Sequence, residues 1–122
     1  MIHVLVIDDE APIRALVRQI LEAEGYQVSE ASDGEAGMAL LHTFSVALLI
    51  TDIFMPGKEG IQTILEVRKR FPHVKLLAIS GGTKIARTPP FPDARRFGAH
   101  STLAKPFTAE ELLIAVRTIL AQ

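Results

Sequence analysis

The chain has 122 residues, 48% of them apolar and 22% charged, and its 13 Lys and Arg set against 14 Asp and Glu leave a net charge of −1. That size and balance describe one globular domain, spanning residues 1–122, without the basic excess of a nucleic-acid reader or the acidic tract of a disordered tail. There is no cysteine, which excludes disulfides, thiolate catalysis and cysteine-ligated zinc. No apolar run reaches the roughly 18 residues a membrane helix needs. Met1 opens directly into a strand-like run with no leader pattern, so a cytoplasmic location is expected.

Two periods alternate along the chain. Ile2 to Ile7 is apolar apart from His3 and rich in β-branched residues, the mark of a buried strand. It stops at Asp8-Asp9. Pro12 then stands where a first helical turn tolerates proline. Ile13, Leu16, Val17, Ile20 and Leu21 follow with the spacing of a helical stripe, and Gly25 closes the helix. Tyr26 to Ala31 is a weaker strand, and Ser32-Asp33-Gly34 turns into a second helix through Ala36, Leu40 and Leu41. Val46 to Ile50 is apolar throughout, as in a strand covered on both faces, and stops at Thr51-Asp52. After Pro56-Gly57, the positions Ile61, Ile64, Leu65 and Arg68 mark a third helix that ends at Phe71-Pro72. Val74 to Ile79 is a fourth strand, ending at Ser80-Gly81-Gly82. Pro89, Pro90 and Pro92 forbid a regular helix through residues 83–92, leaving at most a short one near Asp93–Phe97. Ser101 to Ala104 is a fifth strand. Thr108 and Glu111 form a capping box for a last helix whose core face is Leu112, Leu113, Val116, Ile119 and Leu120.

Strands alternating with helices predict an α/β fold, a five-stranded parallel sheet with helices on both faces. Ligands of such sheets lie beyond the carboxyl ends of the strands. The residues there are Asp8, Asp9, Asp52, Ser80 and Lys105. Adjacent acids at a strand end are more often solvated or capping than functional. Asp52 at the end of the most apolar strand shifts those odds, because three converging carboxylates repel unless a cation is present. Hard oxygen ligands of this kind suit Mg²⁺. Lys105 supplies a point positive charge suited to a phosphate oxygen, and Ser80 a hydroxyl. The glycines beside Ser80 are not a phosphate loop, since the spacing of that motif is absent. The set points to phosphoryl transfer onto a carboxylate, a known covalent strategy that needs no general base.

The stretches VLVIDDE (Val4–Glu10), LLITDIFMPGKEG (Leu48–Gly60), LLAISGG (Leu76–Gly82) and LAKPF (Leu103–Phe107) resemble, in order and spacing, the receiver domains of two-component response regulators. The likeness covers essentially the whole chain and implies the doubly wound, flavodoxin-like topology. It implies Asp52 as phosphoacceptor, with Mg²⁺ held by Asp8, Asp9, Asp52 and the main-chain carbonyl of Phe54. Ser80 and Lys105 would bind the phosphoryl group, and Lys105-Pro106 would be a cis peptide. The implied donor is a histidine kinase or a histidine phosphotransfer protein. The output would be a downstream protein, with no direct nucleic-acid or membrane binding, and the only reactions catalysed would be the domain's own phosphorylation and dephosphorylation. The chain therefore reads as a stand-alone receiver. The other readings are a phosphorylation-independent interaction module on the same fold and a small aspartyl-phosphate phosphohydrolase. Three places depart from the family pattern: Phe54 beside the acceptor, Thr102 where an aromatic switch residue is usual, and a longer, proline-broken segment after Ser80. The last shortens or disrupts the helix the family places between its fourth and fifth strands, so output is expected through that segment and its basic residues Lys84, Arg87, Arg95 and Arg96.

His3, His42, His73 and His100 show no metal-pair spacing and read as structural or solvated. Arg14 and Arg18 lie off the apolar stripe of the first helix and read as a solvated face or a partner contact.

Overall fold

The computed structural model describes residues 1–53, 60–81 and 99–122. Phe54, Gly82, the three clustered prolines, the expected short helix near 93–97 and the basic cluster at 84–96 lie outside the described residues. Within them the chain runs β1 (His3–Ile7), α1 (Ala11–Ala23), β2 (Gln27–Ala31), α2 (Gly34–Thr43), β3 (Leu48–Asp52), α3 (Gly60–Arg70), β4 (Lys75–Gly81), β5 (Ser101–Lys105) and α4 (Ala109–Leu120). The strands form one parallel sheet in the order β2-β1-β3-β4-β5.

Successive strand residues face opposite sides of a sheet, and helices cover both sides here. Leu5, Ile7, Leu49, Leu76 and Ala78 pack with Met38 and Leu41 of α2 and with Ile64 and Val67 of α3. Val4, Val6, Leu48, Ile50, Leu77 and Ile79 pack with Val17 and Leu21 of α1 and with Leu112, Val116 and Ile119 of α4. This double cover is why β1 and β3 read as unbroken apolar runs. Local signals act as expected at the helix ends. Asp33 accepts the Ala36 N–H at 2.8 Å. Thr108 and Glu111 complete the capping box, with Thr108 Oγ1 accepting the Glu111 N–H at 3.0 Å and Glu111 Oε1 accepting the Thr108 N–H at 2.8 Å. Gly25, just past the end of α1, takes φ of 91°, a conformation that disfavours any side chain.

The structure corrects several boundaries. β3 begins at Leu48 and continues through Thr51 and Asp52, because Thr51 pairs with both Ile7 and Ala78 and Asp52 pairs with Ile79. β4 continues past Ile79 through Ser80 and Gly81, in register with Ala104 and Lys105. Leu16 of α1 and Leu65 of α3 are exposed, since those helices touch the sheet along narrower seams than their apolar stripes.

Candidate functional site

Parallel register gathers the polar strand ends on one edge. Ile7 is level with Thr51, so Asp8 emerges beside Asp52; Asp52 is level with Ile79, which places Ser80 one residue beyond it; Gly81 is level with Lys105. The order of strands reverses around β1 and β3, so the two acids stand at the switch point where open α/β sheets place their ligands. Lys105-Pro106 is a cis peptide.

Asp8, Asp9, Glu10 and Asp52 each bring a carboxylate oxygen within 4.8 Å of the others. Lys105 Nζ sits among them, 2.8 Å from Asp8 Oδ2, 3.0 Å from Asp52 Oδ2 and 3.0 Å from Glu10 Oε2. The Asp8 side chain is 1% exposed. Burial pushes its carboxyl above the ordinary range, and the Asp52 charge adds to that; Lys105 and the Glu10 N–H, at 2.9 Å from Oδ1, pull the other way without cancelling it. Burial by itself would lower the Lys105 ammonium, but Asp8, Asp52 and Glu10 together hold it above its usual value. One lysine cannot neutralise so many acids. Asp8 Oδ2 has its ion pair with Lys105 but, among the described residues, no further donor. A buried carboxylate oxygen with spare capacity, surrounded by further hard oxygens, fits a small divalent cation.

Of the five described residues expected in the site, Asp8, Asp9, Asp52 and Lys105 come together, and buried Ser80 stands on the adjacent strand end. The Phe54 carbonyl falls outside the described residues. Thr102 is half-buried and level with Ala78, on the strand that carries Lys105.

Two residues were not anticipated. Glu10, 54% exposed, joins the cluster through Lys105; its place directly after the acid pair was the available signal. Arg14 does not belong to a solvated face. Its guanidinium reaches back from α1, with Nη1 donating to the main-chain carbonyl of Asp8 at 2.7 Å and Nε to Glu30 Oε1 at 3.3 Å. Arg18 Nη1 donates to Glu30 Oε2 at 2.9 Å and its Nε to Glu22 Oε2 at 3.0 Å. The spacing of Arg14 on α1 does not distinguish it from a solvated arginine.

The histidines stand away from this edge. His3 Nε2 lies 2.7 Å from Ser29 Oγ, with its ring edge-on to Phe44; the His42 ring meets Phe71 edge-on; His100 Nδ1 accepts the Leu76 N–H at 3.1 Å.

Comparison with known proteins agrees with this geometry. The family model of the response regulator receiver domain matches residues 4–117. The transcriptional regulatory protein CpxR of Klebsiella pneumoniae is 35% identical over 98% of this chain and 50% of its own length. The aerobic respiration control protein ArcA of Escherichia coli is 34% identical over 98% of the chain and 49% of its own. The chain thus spans about half the length of these curated relatives. The receiver domain of NtrX from Brucella abortus superposes with a TM-score of 0.90 at 31% identity, covering 98% of both chains. Chemotaxis protein CheY4 of Vibrio cholerae does so at 0.87 and 28%, again over 98% of both. With its sheet order, its acid–lysine edge and nearly its whole length matched, the chain belongs to the response regulator receiver domain family.

Proposed function

We propose that this domain accepts a phosphoryl group on Asp52 from a phosphohistidine of a kinase or phosphotransfer protein, and that the modification switches binding to a downstream protein. The observation that carries the reading is Lys105 Nζ, held 3.0 Å from Asp52 Oδ2 and 2.8 Å from Asp8 Oδ2 on the carboxyl edge of the sheet. An Asp52 oxygen attacks phosphorus, a new P–O bond forms, the P–N bond to the donor imidazole breaks, and that nitrogen keeps the bonding pair. Lys105 offers its charge to the phosphoryl oxygens as they arrive, and the Ser80 hydroxyl would donate to one of them. Asp8, Asp9 and Asp52 would hold Mg²⁺, together with the Phe54 carbonyl. When bound, the ion supplies charge neutralisation for the carboxylates and the transferring group. The domain turns over no other substrate. A cytoplasmic location suits such a partner, and among the described residues no helix is long and apolar enough to cross a membrane.

The test is incubation with acetyl phosphate and Mg²⁺, followed by mass-spectrometric mapping of the adduct. The expected result is one labelled residue, Asp52, with labelling abolished in Asp52→Ala and in EDTA. Undiminished labelling of Asp52→Ala refutes the assignment. A wild-type chain that takes no label from any donor points instead to a phosphorylation-independent interaction module.

A further inference from the structure

We propose that Arg14 is a positioning residue for the Asp8–Asp9 acid pair, and that the ion-pair chain Arg14–Glu30–Arg18 thereby sets the affinity of the site for its divalent cation. The inference rests on reading those acids as a Mg²⁺ site.

Asp8 is the point at which β1 stops being strand. Its N–H still donates to Ala31 O at 3.1 Å, continuing the ladder with β2. Its carbonyl has left the ladder, and Arg14 takes it at 2.7 Å. Asp8 Oδ1 accepts the Glu10 N–H, so both ends of the short Asp8–Glu10 connection are pinned. The start of α1 supplies little restraint of its own. Its N-cap residue, Glu10, makes no side-chain cap hydrogen bond, and the Glu10 carbonyl ties the connection to the helix, accepting from Ile13 and Arg14. The Arg14 guanidinium is the second tie, and it holds the carbonyl next to Asp9, the exposed member of the pair.

The fork of Arg14 is itself oriented. Glu30, on β2 opposite Val6, accepts from Arg14 through one oxygen and from Arg18 through the other. Arg18 is further tied to Glu22 one turn along α1. Arg14 is only 19% exposed, so the arrangement sits against the protein rather than in free solvent. Two arginines and two glutamates sum to no net charge. The chain therefore offers a directed, charge-assisted hydrogen bond to the Asp8 carbonyl without a strong local field.

That balance makes the sign of the effect diagnostic. By charge alone, removing a cation near a cation site tightens metal binding. If Arg14 acts by position, removing it weakens binding, because Asp8 and Asp9 must then be ordered by the metal itself. Supporting groups of this kind typically change metal affinity by about tenfold or more.

The experiment is Mg²⁺ titration by calorimetry of the full chain and of Arg14→Ala, Arg14→Lys and Glu30→Gln. Melting in EDTA serves as the fold control. Arg14→Ala is expected to bind Mg²⁺ about tenfold more weakly. Arg14→Lys, which keeps one donor but loses the fork, and Glu30→Gln, which loosens it, fall between that variant and wild type. In acetyl phosphate labelling, the half-saturating Mg²⁺ concentration rises in the same order, while the rate at saturating Mg²⁺ stays near wild type. If Arg14→Ala does not fold, Arg14→Lys and Glu30→Gln decide alone. Mg²⁺ affinity equal to or tighter than wild type in the folded variants overturns the positioning role and leaves the metal site standing. A wild-type chain that binds no Mg²⁺ overturns both.

Discussion

The two ends of this sheet bury polar side chains on opposite terms. At the carboxyl end, Asp8, Asp52 and Lys105 are drawn out of water in a group whose acids outnumber its lysine, and Asp8 is held above its ordinary protonation range. At the amino end, His3 is buried and His100 half-buried, each with a matched partner: the Ser29 hydroxyl for one, the Leu76 N–H for the other. Satisfied polar groups are architecture, since each hydrogen bond replaces one lost to water. Like charges gathered under burial cost stability and persist where something binds them. The contrast separates site from scaffold, and substitutions at the two ends should differ in size, in pH dependence and in their response to Mg²⁺.

The largest effect is expected from Lys105→Ala. It removes the one described cation among the acids and leaves buried carboxylates facing each other. Breaking a buried charge cluster from one side typically costs about 3 kcal/mol, so the denaturation midpoint in EDTA should fall accordingly, with Mg²⁺ restoring part of the loss. The Lys105 ammonium is held above its ordinary value, so its contribution is complete at every pH below that value and is lost only as pH rises through the higher folded one. The deficit of the variant should therefore be flat through neutral pH. An unchanged midpoint in EDTA contradicts the cluster as described.

Asp8→Asn should act in the opposite direction. The folded carboxyl titrates above the unfolded one, so the wild-type fold binds the proton more tightly and loses stability as pH rises through that window. Metal-free Asp8→Asn is expected to melt a few degrees higher than wild type at neutral pH. The advantage should close as pH falls below the ordinary carboxylate value of 3.8, where both residues are neutral in both states. Added Mg²⁺ should reverse the ranking, because only wild type gains the bound state. Melting curves across pH, with and without Mg²⁺, decide it. A variant less stable than wild type in EDTA at neutral pH would show that the contact with Lys105 outweighs the burial.

How much of this was readable in advance follows from what periodicity reports. Alternating strands and helical stripes announce which faces are apolar, so the parallel sheet, the capping box at Thr108 and the gathering of Asp8, Asp52 and Lys105 on one edge were legible. Periodicity does not report where a ladder ends. Thr51-Asp52 and Ser80-Gly81 look like stops, yet their neighbours on adjacent strands carry the pairing through them. It also does not report which part of a stripe meets the sheet, and so Leu16 faces solvent. Arg14 was illegible for a related reason. A long polar side chain can fold back along its helix to a strand end, and no spacing rule distinguishes that from a solvated arginine.

Gly37→Ala tests the scaffold just beneath the site. A Cβ at Gly37 of α2 would overlap the buried side chain of Ile7, the residue before Asp8. Ile7 is fully buried, so the overlap must be relieved by turning its side chain within the core or by shifting α2 or β1. Overpacking of this kind costs about 1 kcal/mol or somewhat more, set against a helix-propensity gain of up to about 1 kcal/mol. A small net destabilisation is expected in urea unfolding, unaffected by pH or by Mg²⁺. A variant as stable as wild type would show that β1 yields there at no cost.

The smallest effect is expected at the amino end, from His100. Its Nδ1 accepts the Leu76 N–H at 3.1 Å and its own N–H donates to Leu76 O at 2.8 Å, closing the start of the β4–β5 pair on both sides. An Nδ1 that accepts cannot also carry a proton. Partial burial lowers the imidazole below its ordinary 6.5, and the positive charges of Arg68 and Lys75 push the same way. Among the described residues the buried Nε and Nη2 of Arg68 have no acceptor. Since the folded ring titrates below the unfolded one, its contribution is complete above the unfolded value and is lost as pH falls from there through the folded value. His100→Asn keeps an acceptor for the Leu76 N–H but cannot titrate. Its melting temperature should lie close to wild type at pH 8 and fall less steeply between pH 6.5 and the acid limb. The ring is partly exposed, so the difference should be smaller than that of Gly37→Ala. A gap between the two proteins that stays constant across that range would mean that His100 contributes packing alone, and that the amino end of the sheet has no titration of its own to set against the carboxyl end.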